Sequence, residues 1–207
     1  MAFVKSVTAN NSQDNQRKQP RDCDHLKIQL QSESANERRW AARDLTDCPD
    51  AAGVLVAQLK NETHQSVREV IFTALTYIGN EIAVNGLIEC LRSEDASVRN
   101  EAIESMKQLP NQVAPMMQQL LKDSVADVRI FAVNVLESLR HPSVETWLIN
   151  VINEDQHVNV CCAAVDLLTE IGTHAAVTPL MSLKARYADE PYIQFAADVA
   201  IKRILSD

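Results

Sequence analysis

The sequence is poor in the materials of several fold and function classes. Aromatic residues make up only 4% of its 207 residues, and there are only 4 glycines. Few aromatics argue against a β-rich fold, and few glycines leave little material for tight hairpins. No apolar run approaches the roughly 18 residues a membrane-spanning helix requires. Basic charge is in deficit: 20 Lys and Arg stand against 28 Asp and Glu, a net charge of −8. That weighs against nucleic-acid binding, which needs a basic footprint. The five cysteines, Cys23, Cys48, Cys90, Cys161 and Cys162, form no C-x-x-C pair. Zinc-ribbon and thioredoxin-type motifs are therefore missing. Residues 1–23 are rich in Asn, Gln, Ser and charge and lack the apolar core of a secretory signal. They are expected to be a disordered polar tail, with residues 24–207 forming the folded array. An odd cysteine count without a secretion signal reads as reduced thiols in a cytoplasm of bacterial type.

What the sequence has is a repeat. Ser66-Val67-Arg68, Ser97-Val98-Arg99 and Asp127-Val128-Arg129 recur, each opening a helical pattern with apolar residues four and eight positions later. Further copies start at Val160, at the degenerate Glu37 and at Tyr192. The six anchors 37, 67, 98, 128, 160 and 192 are spaced by 30, 31, 30, 32 and 32 residues. Shorter helical patterns lie between them, such as Leu55 with Leu59, Leu87 with Leu91 and Leu148 with Ile152. Each unit therefore reads as a helix A, a short polar loop and a helix B. The predicted loops are residues 60–65, 92–96, 122–126, 153–159 and 186–191. Gly79 and Gly172, twelve past their anchors, are read as left-handed residues ending helix B.

The recurring Val-Arg-x-x-Ala at the head of helix B resembles the HEAT-repeat superfamily, and in particular the short HEAT-like repeats of phycobilisome lyases. The resemblance covers residues 24 to 205, with Glu37 and Cys161 standing where Val and Arg are usual. It implies an all-α, right-handed solenoid of five to six helix pairs, each burying its apolar stripe against its neighbours. It also implies that Arg38, Arg68, Arg99 and Arg129 form a structural ladder, pairing with loop carboxylates such as Asp95, Asp123, Asp127 and Asp155 and with loop carbonyls.

No phosphate loop, nucleophile elbow or paired-carboxylate motif is present. None of the five histidines is followed by Glu, so the ligand pairs of the HEAT-like di-iron hydroxylases are lacking. No catalytic residue, metal site or cofactor is assigned, and an enzyme is the less favoured class. His157, Cys161 and Cys162 are a weak metal set and read better as packing.

By resemblance, the B helices line a concave face, and positions two, three and six past each anchor look inward. That places Ile130 and Phe131 as an apolar anchor within an acidic rim of Glu101, Glu104, Asp166 and Asp198, with Asn134 between them. Trp40 sits at the first turn. The leading reading is a non-catalytic adaptor that binds another protein through a basic or amphipathic segment, with no nucleic-acid or membrane partner. The alternative is a phycobilin-lyase-like protein handling a linear tetrapyrrole. There Glu101 and Arg129 are the nearest candidates for an acid/base carboxylate and a propionate partner.

Overall fold

The computed structural model describes residues 22–206. The tail expected over residues 1–23 lies almost wholly outside the described residues, but Asp22 caps and Cys23 begins the first helix. Among the described residues the fold is all-α, a repeat fold of the solenoid class. Its twelve helices fall into six sequential pairs. They are α1 (Cys23–Gln29) with α2 (Ala35–Asp44), α3 (Ala51–Leu59) with α4 (Gln65–Ile78), and α5 (Glu81–Cys90) with α6 (Ala96–Lys107). They continue with α7 (Pro110–Leu120) and α8 (Ala126–Leu136), α9 (Val144–Glu154) and α10 (Val158–Ile171), and α11 (Val177–Arg186) and α12 (Pro191–Ser206). The five A–B loops read from the sequence fall where the sequence places them, and a further one lies between α1 and α2.

The chain forms two compact units, one up to Ile71 and one from Phe72. In the first, α1 packs on α2. The core there is Leu26, Leu30, Ala41, Ala42, Leu45, Leu55, Val67 and Ile71. A disulfide joins Cys23 to Cys48, with 5.7 Å between their Cα atoms. This corrects the reading of five reduced thiols. A short 3-10 turn, Leu45–Asp47, leads the chain from the end of α2 to Cys48. A separation of 25 residues along the chain carries no signal of that pairing, and the cysteine count no longer argues for a compartment.

In the second unit the helices form two layers. The B helices α6, α8, α10 and α12 pack in succession, while α5 packs on α7 and α9 on α11 in the other layer. The small residue four past the anchor makes the close approach possible. Ala102, Ala132 and Ala164 are fully buried, as are Met106, Leu136 and Leu168 another four on. Two register details differ from the sequence reading. Tyr192 is 50% exposed and Ile193 is fully buried, so the last anchor is Ile193, one residue later. Val98 is half-buried, unlike Val67, Val128 and Val160.

Gly79 has φ +54° and ends α4 in the left-handed region, as glycine permits. Gly172 does not: its φ is −63° and ψ 144°, an extended conformation. Its reason is space, since a Cβ there would sit 2.5 Å from the Leu168 carbonyl oxygen.

Candidate functional site

The loops between helices A and B are held by one recurring device. In the first five repeats the residue five before the anchor accepts the amide of the residue two later: Ser32 from Ser34, Glu62 from His64, Ser93 from Asp95, Asp123 from Val125, and Asp155 from His157. The carbonyl of that same residue then accepts the arginine that follows the anchor. Arg38 donates to the Ser32 carbonyl at 2.9 Å, Arg99 to that of Ser93 at 2.7 Å, and Arg129 to that of Asp123 at 2.8 Å. The other edge of the guanidinium reaches the next loop. Arg38 forks onto Glu62 at 2.7 and 2.8 Å, and Arg129 onto Asp155 at 2.6 and 2.9 Å. Such bidentate pairs are strong and geometrically specific. The Glu62 side chain is 1% exposed. Arg38, together with the His64 amide and Gln58, holds its carboxyl down at about 2. Burial opposes ionisation of Asp155, yet the Arg129 fork and the His157 amide keep it below the ordinary carboxylate range. Glu62 was not among the ladder carboxylates read from the sequence. Asp123 is bound by Arg92 at the end of helix A, not by Arg99. Arg68 is also engaged.

The residues placed on the helix-B face lie in different settings. Trp40 is half-buried in α2, within the first unit. In the second unit, Phe131 lies under Arg99, whose guanidinium carbon is 5.5 Å from the ring centroid. Ile130 instead lines a groove of about 450 Å³ across α8, α10 and the start of α12, together with Cys162, Ala163, Asp166, Glu190 and Tyr192. Asp166 accepts the Tyr192 hydroxyl at 2.7 Å. Glu104 pairs with Lys107, which also reaches Glu137. Asp198 pairs with Lys184. Glu101 is half-buried on α6 and Asn134 exposed on α8. The structure thus brings Ile130 and Asp166 together and spreads the other members of the second unit along α6, α8 and α12. It adds Tyr192, which the one-residue slip in the last repeat placed at the buried anchor, and Glu190.

A second, larger groove of about 790 Å³ opens between α7 and α9, on the helix-A side. Leu121, Trp147 and Val151 supply its apolar wall, and the amides of Gln118, Gln119 and Asn150 line its sides. Trp147 is held by face-to-face stacking on His141, with 4.9 Å between centroids. At the rim Lys122 and Glu154 pair at 3.1 Å, both exposed. Arg129 also lines this groove, whereas Glu101 does not. The repeat motif does not mark this site, because the motif lies on the B helices and the groove is lined mainly from the A helices and the loops that follow them.

The comparisons with known proteins bear on this arrangement. The sequence profile for HEAT repeats matches residues 23–107, 51–122 and 113–201. The chain is 29% identical over 151 residues to the bilin biosynthesis protein PecE of Mastigocladus laminosus, covering 71% of this chain and 56% of that protein. It is 36% identical over 94 residues to the phycocyanobilin lyase subunit alpha of Picosynechococcus sp. PCC 7002, covering 42% of this chain and 35% of that one. The chain therefore spans about half the length of the first relative and about a third of the second. Among solved structures, the complex of CpcE and CpcF of phycocyanin lyase from Nostoc sp. PCC7120 aligns with 98% of this chain and 100% of that chain, at 19% identity and a TM-score of 0.39. With the anchors, buried alanines and arginine-stapled loops in place and the repeat profile matched from residue 23 to residue 201, the chain belongs to the HEAT-repeat family.

Proposed function

We propose that this chain is a subunit of bilin-lyase type, a HEAT-repeat scaffold that holds a linear tetrapyrrole while a partner protein docks on its helix-B face. One observation carries the reading: the 29% identity over 151 residues with PecE. It favours the tetrapyrrole reading over a general adaptor. The reading assigns binding and presentation of the bilin, and names no catalytic residue. The partner is expected to offer a basic or amphipathic segment, in keeping with the acidic balance of the chain.

In this reading the bilin lies in the groove between α7 and α9. Its volume of about 790 Å³ falls within the roughly 300–1,000 Å³ usual for small-molecule sites. Trp147, Leu121 and Val151 offer a wall for the pyrrole rings. Lys122 is the cation for a propionate. Its partner Glu154 is exposed, and exposed pairs are worth about 0–1 kcal/mol, so exchange costs little. Arg129 is committed to Asp155 and the Asp123 carbonyl and acts as a staple.

The test is a titration of phycocyanobilin into the purified chain, followed by visible absorption. The expected result is a shifted, intensified band with saturable binding, weakened at least fivefold in Lys122→Glu. An unshifted spectrum at all concentrations would reject tetrapyrrole binding by this chain, and equal binding by Lys122→Glu would reject this groove as its seat.

A further inference from the structure

The last helix pair carries an apolar surface that the fold itself does not use. On α12, Ile193, Ala196, Ala197 and Ala200 face the core, while Tyr192, Phe195 and Val199 are 50%, 68% and 40% exposed. Their spacing of three and four residues puts all three on one side of the helix. The stripe begins at the groove of about 450 Å³ that Ile130, Ala163 and Tyr192 line. The charges there are of one sign. Asp166 and Glu190 line the groove, and no Lys or Arg does. The half-buried Cys162 thiol is pushed up by burial first, and then by the Asp166 carboxylate. Asp198, one residue from Val199, adds a further exposed carboxylate, held by Lys184.

We infer that the α8–α10–α12 face is the docking site for a basic amphipathic helix of a partner protein. The apolar row of that helix lies along Ile130, Tyr192 and Phe195, and its Lys and Arg residues face Asp166 and Glu190. Three packed helices at roughly 8–10 Å spacing span about 20 Å, which a helix covers in about 13 residues at 1.5 Å each. The inference deepens the proposed function and rests on its assignment of the helix-B face to a partner. It does not depend on the tetrapyrrole.

The probe is a fluorescein-labelled 16-residue Leu/Lys peptide, designed as an amphipathic helix, with anisotropy measured against the full chain. Its control is a scrambled peptide of the same composition. The expected result is saturable binding of the amphipathic peptide at least tenfold tighter than the scrambled one. Phe195→Glu and the double variant Asp166→Asn/Glu190→Gln should each weaken it at least tenfold. Both changes fall on exposed side chains, and circular dichroism melts should match the wild type. Failure of the wild type to bind, equal binding of the scrambled peptide, or undiminished binding by both variants would overturn the inference. So would a dimer seen by sedimentation that Phe195→Glu abolishes while the peptide does not bind, because the face would then belong to a second copy of the chain. The phycocyanobilin titration on the same variants separates the two ideas. Lost peptide binding with an intact bilin band assigns the face to the peptide alone, whereas peptide binding without any bilin band sinks only the tetrapyrrole reading.

Discussion

The junctions around Arg129 and around Cys161 fall at the same position of successive repeats but are built from different residues. Arg129 reaches back to the Asp123 carbonyl and forward to the Asp155 carboxylate. Cys161 has no guanidinium to offer. Its thiol donates backward to the Asp155 carbonyl at 3.4 Å and accepts from Arg186 of the next repeat at 3.5 Å. The missing arginine comes from the other side. Arg186, the last residue of the next A helix, donates to the carbonyls of Ile152, Asn153 and Asp155 at 2.7, 2.7 and 3.0 Å. Tyr187 adds a bond from its hydroxyl to the Gln156 carbonyl at 2.8 Å. What the repeat keeps is therefore a cation over the loop carbonyls, and either of two neighbouring units can supply it. The Arg129 version also buries a carboxylate, so it depends on charge pairing. The Cys161 version depends on neutral acceptors, and Arg186 is exposed.

That difference can be broken at several strengths. The most severe change strikes the packing both junctions share. Ala132→Glu puts a carboxylate at a fully buried contact in the B-helix layer and should cost about 4 kcal/mol or more, enough to abolish cooperative melting of the second unit. Arg129→Ala comes next. It leaves the Asp155 side chain, only 7% exposed, without its partner, and should cost about 3 kcal/mol by urea denaturation. Arg186→Ala should cost less, about 1–2 kcal/mol, because the carbonyls it leaves can be met by water. Equal losses for the two variants would remove the distinction between the junctions.

A swap sharpens the comparison. Cys161→Arg alone sets two guanidinium groups on one loop and should destabilise. Adding Arg186→Asp replaces the competing cation with a carboxylate at the end of the next A helix, so the double-mutant cycle should show favourable coupling of about 1 kcal/mol or more. A last contrast is in pH dependence. The Glu62 carboxyl is lowered from 4.5 to about 2 in the folded chain. A carboxyl lowered on folding contributes stability that is present above its unfolded value, so this contribution is lost as pH falls from about 4.5 to about 2. Asp155 is lowered as well and acts in the same sense. The Arg186 contacts end on backbone carbonyls and the Cys161 sulfur, with no carboxylate among them. Amide exchange at low pH should accordingly loosen the residue 62–64 loop before the contacts of Arg186.

Much of this fold is legible in the sequence because its chemistry is local and periodic. A Val, an Ala and a Leu four residues apart mark the buried stripe of helix B, and polar runs mark the loops. The legibility fails where chain distance enters. Glu62 looks like any loop glutamate until the preceding repeat brings Arg38 onto it. The Cys23–Cys48 bridge depends on a turn that brings two distant residues together. Arg186 reads as an ordinary helix-end cation because the gap it fills belongs to another repeat. The site was less legible than the scaffold for the same reason. Ile130 and Asp166 could be picked as neighbours from the repeat phase, but a one-residue slip at Ile193 turned Tyr192 from the expected buried anchor onto the face. The α7–α9 groove has no motif at all, since it arises from the space between two helices.

The staples and the proposed tetrapyrrole site are built from different residues, Arg129 and Arg186 on one side and Lys122 on the other. Thermal melting of the wild type and Lys122→Glu, each with and without phycocyanobilin, tests it most directly. A ligand bound only by the folded state raises Tm in proportion to the logarithm of its excess over Kd. The account predicts equal Tm for the two proteins without bilin, a raised Tm for the wild type with bilin, and little or no rise for Lys122→Glu. An unmoved wild-type Tm, or an equal rise in both proteins, would contradict it.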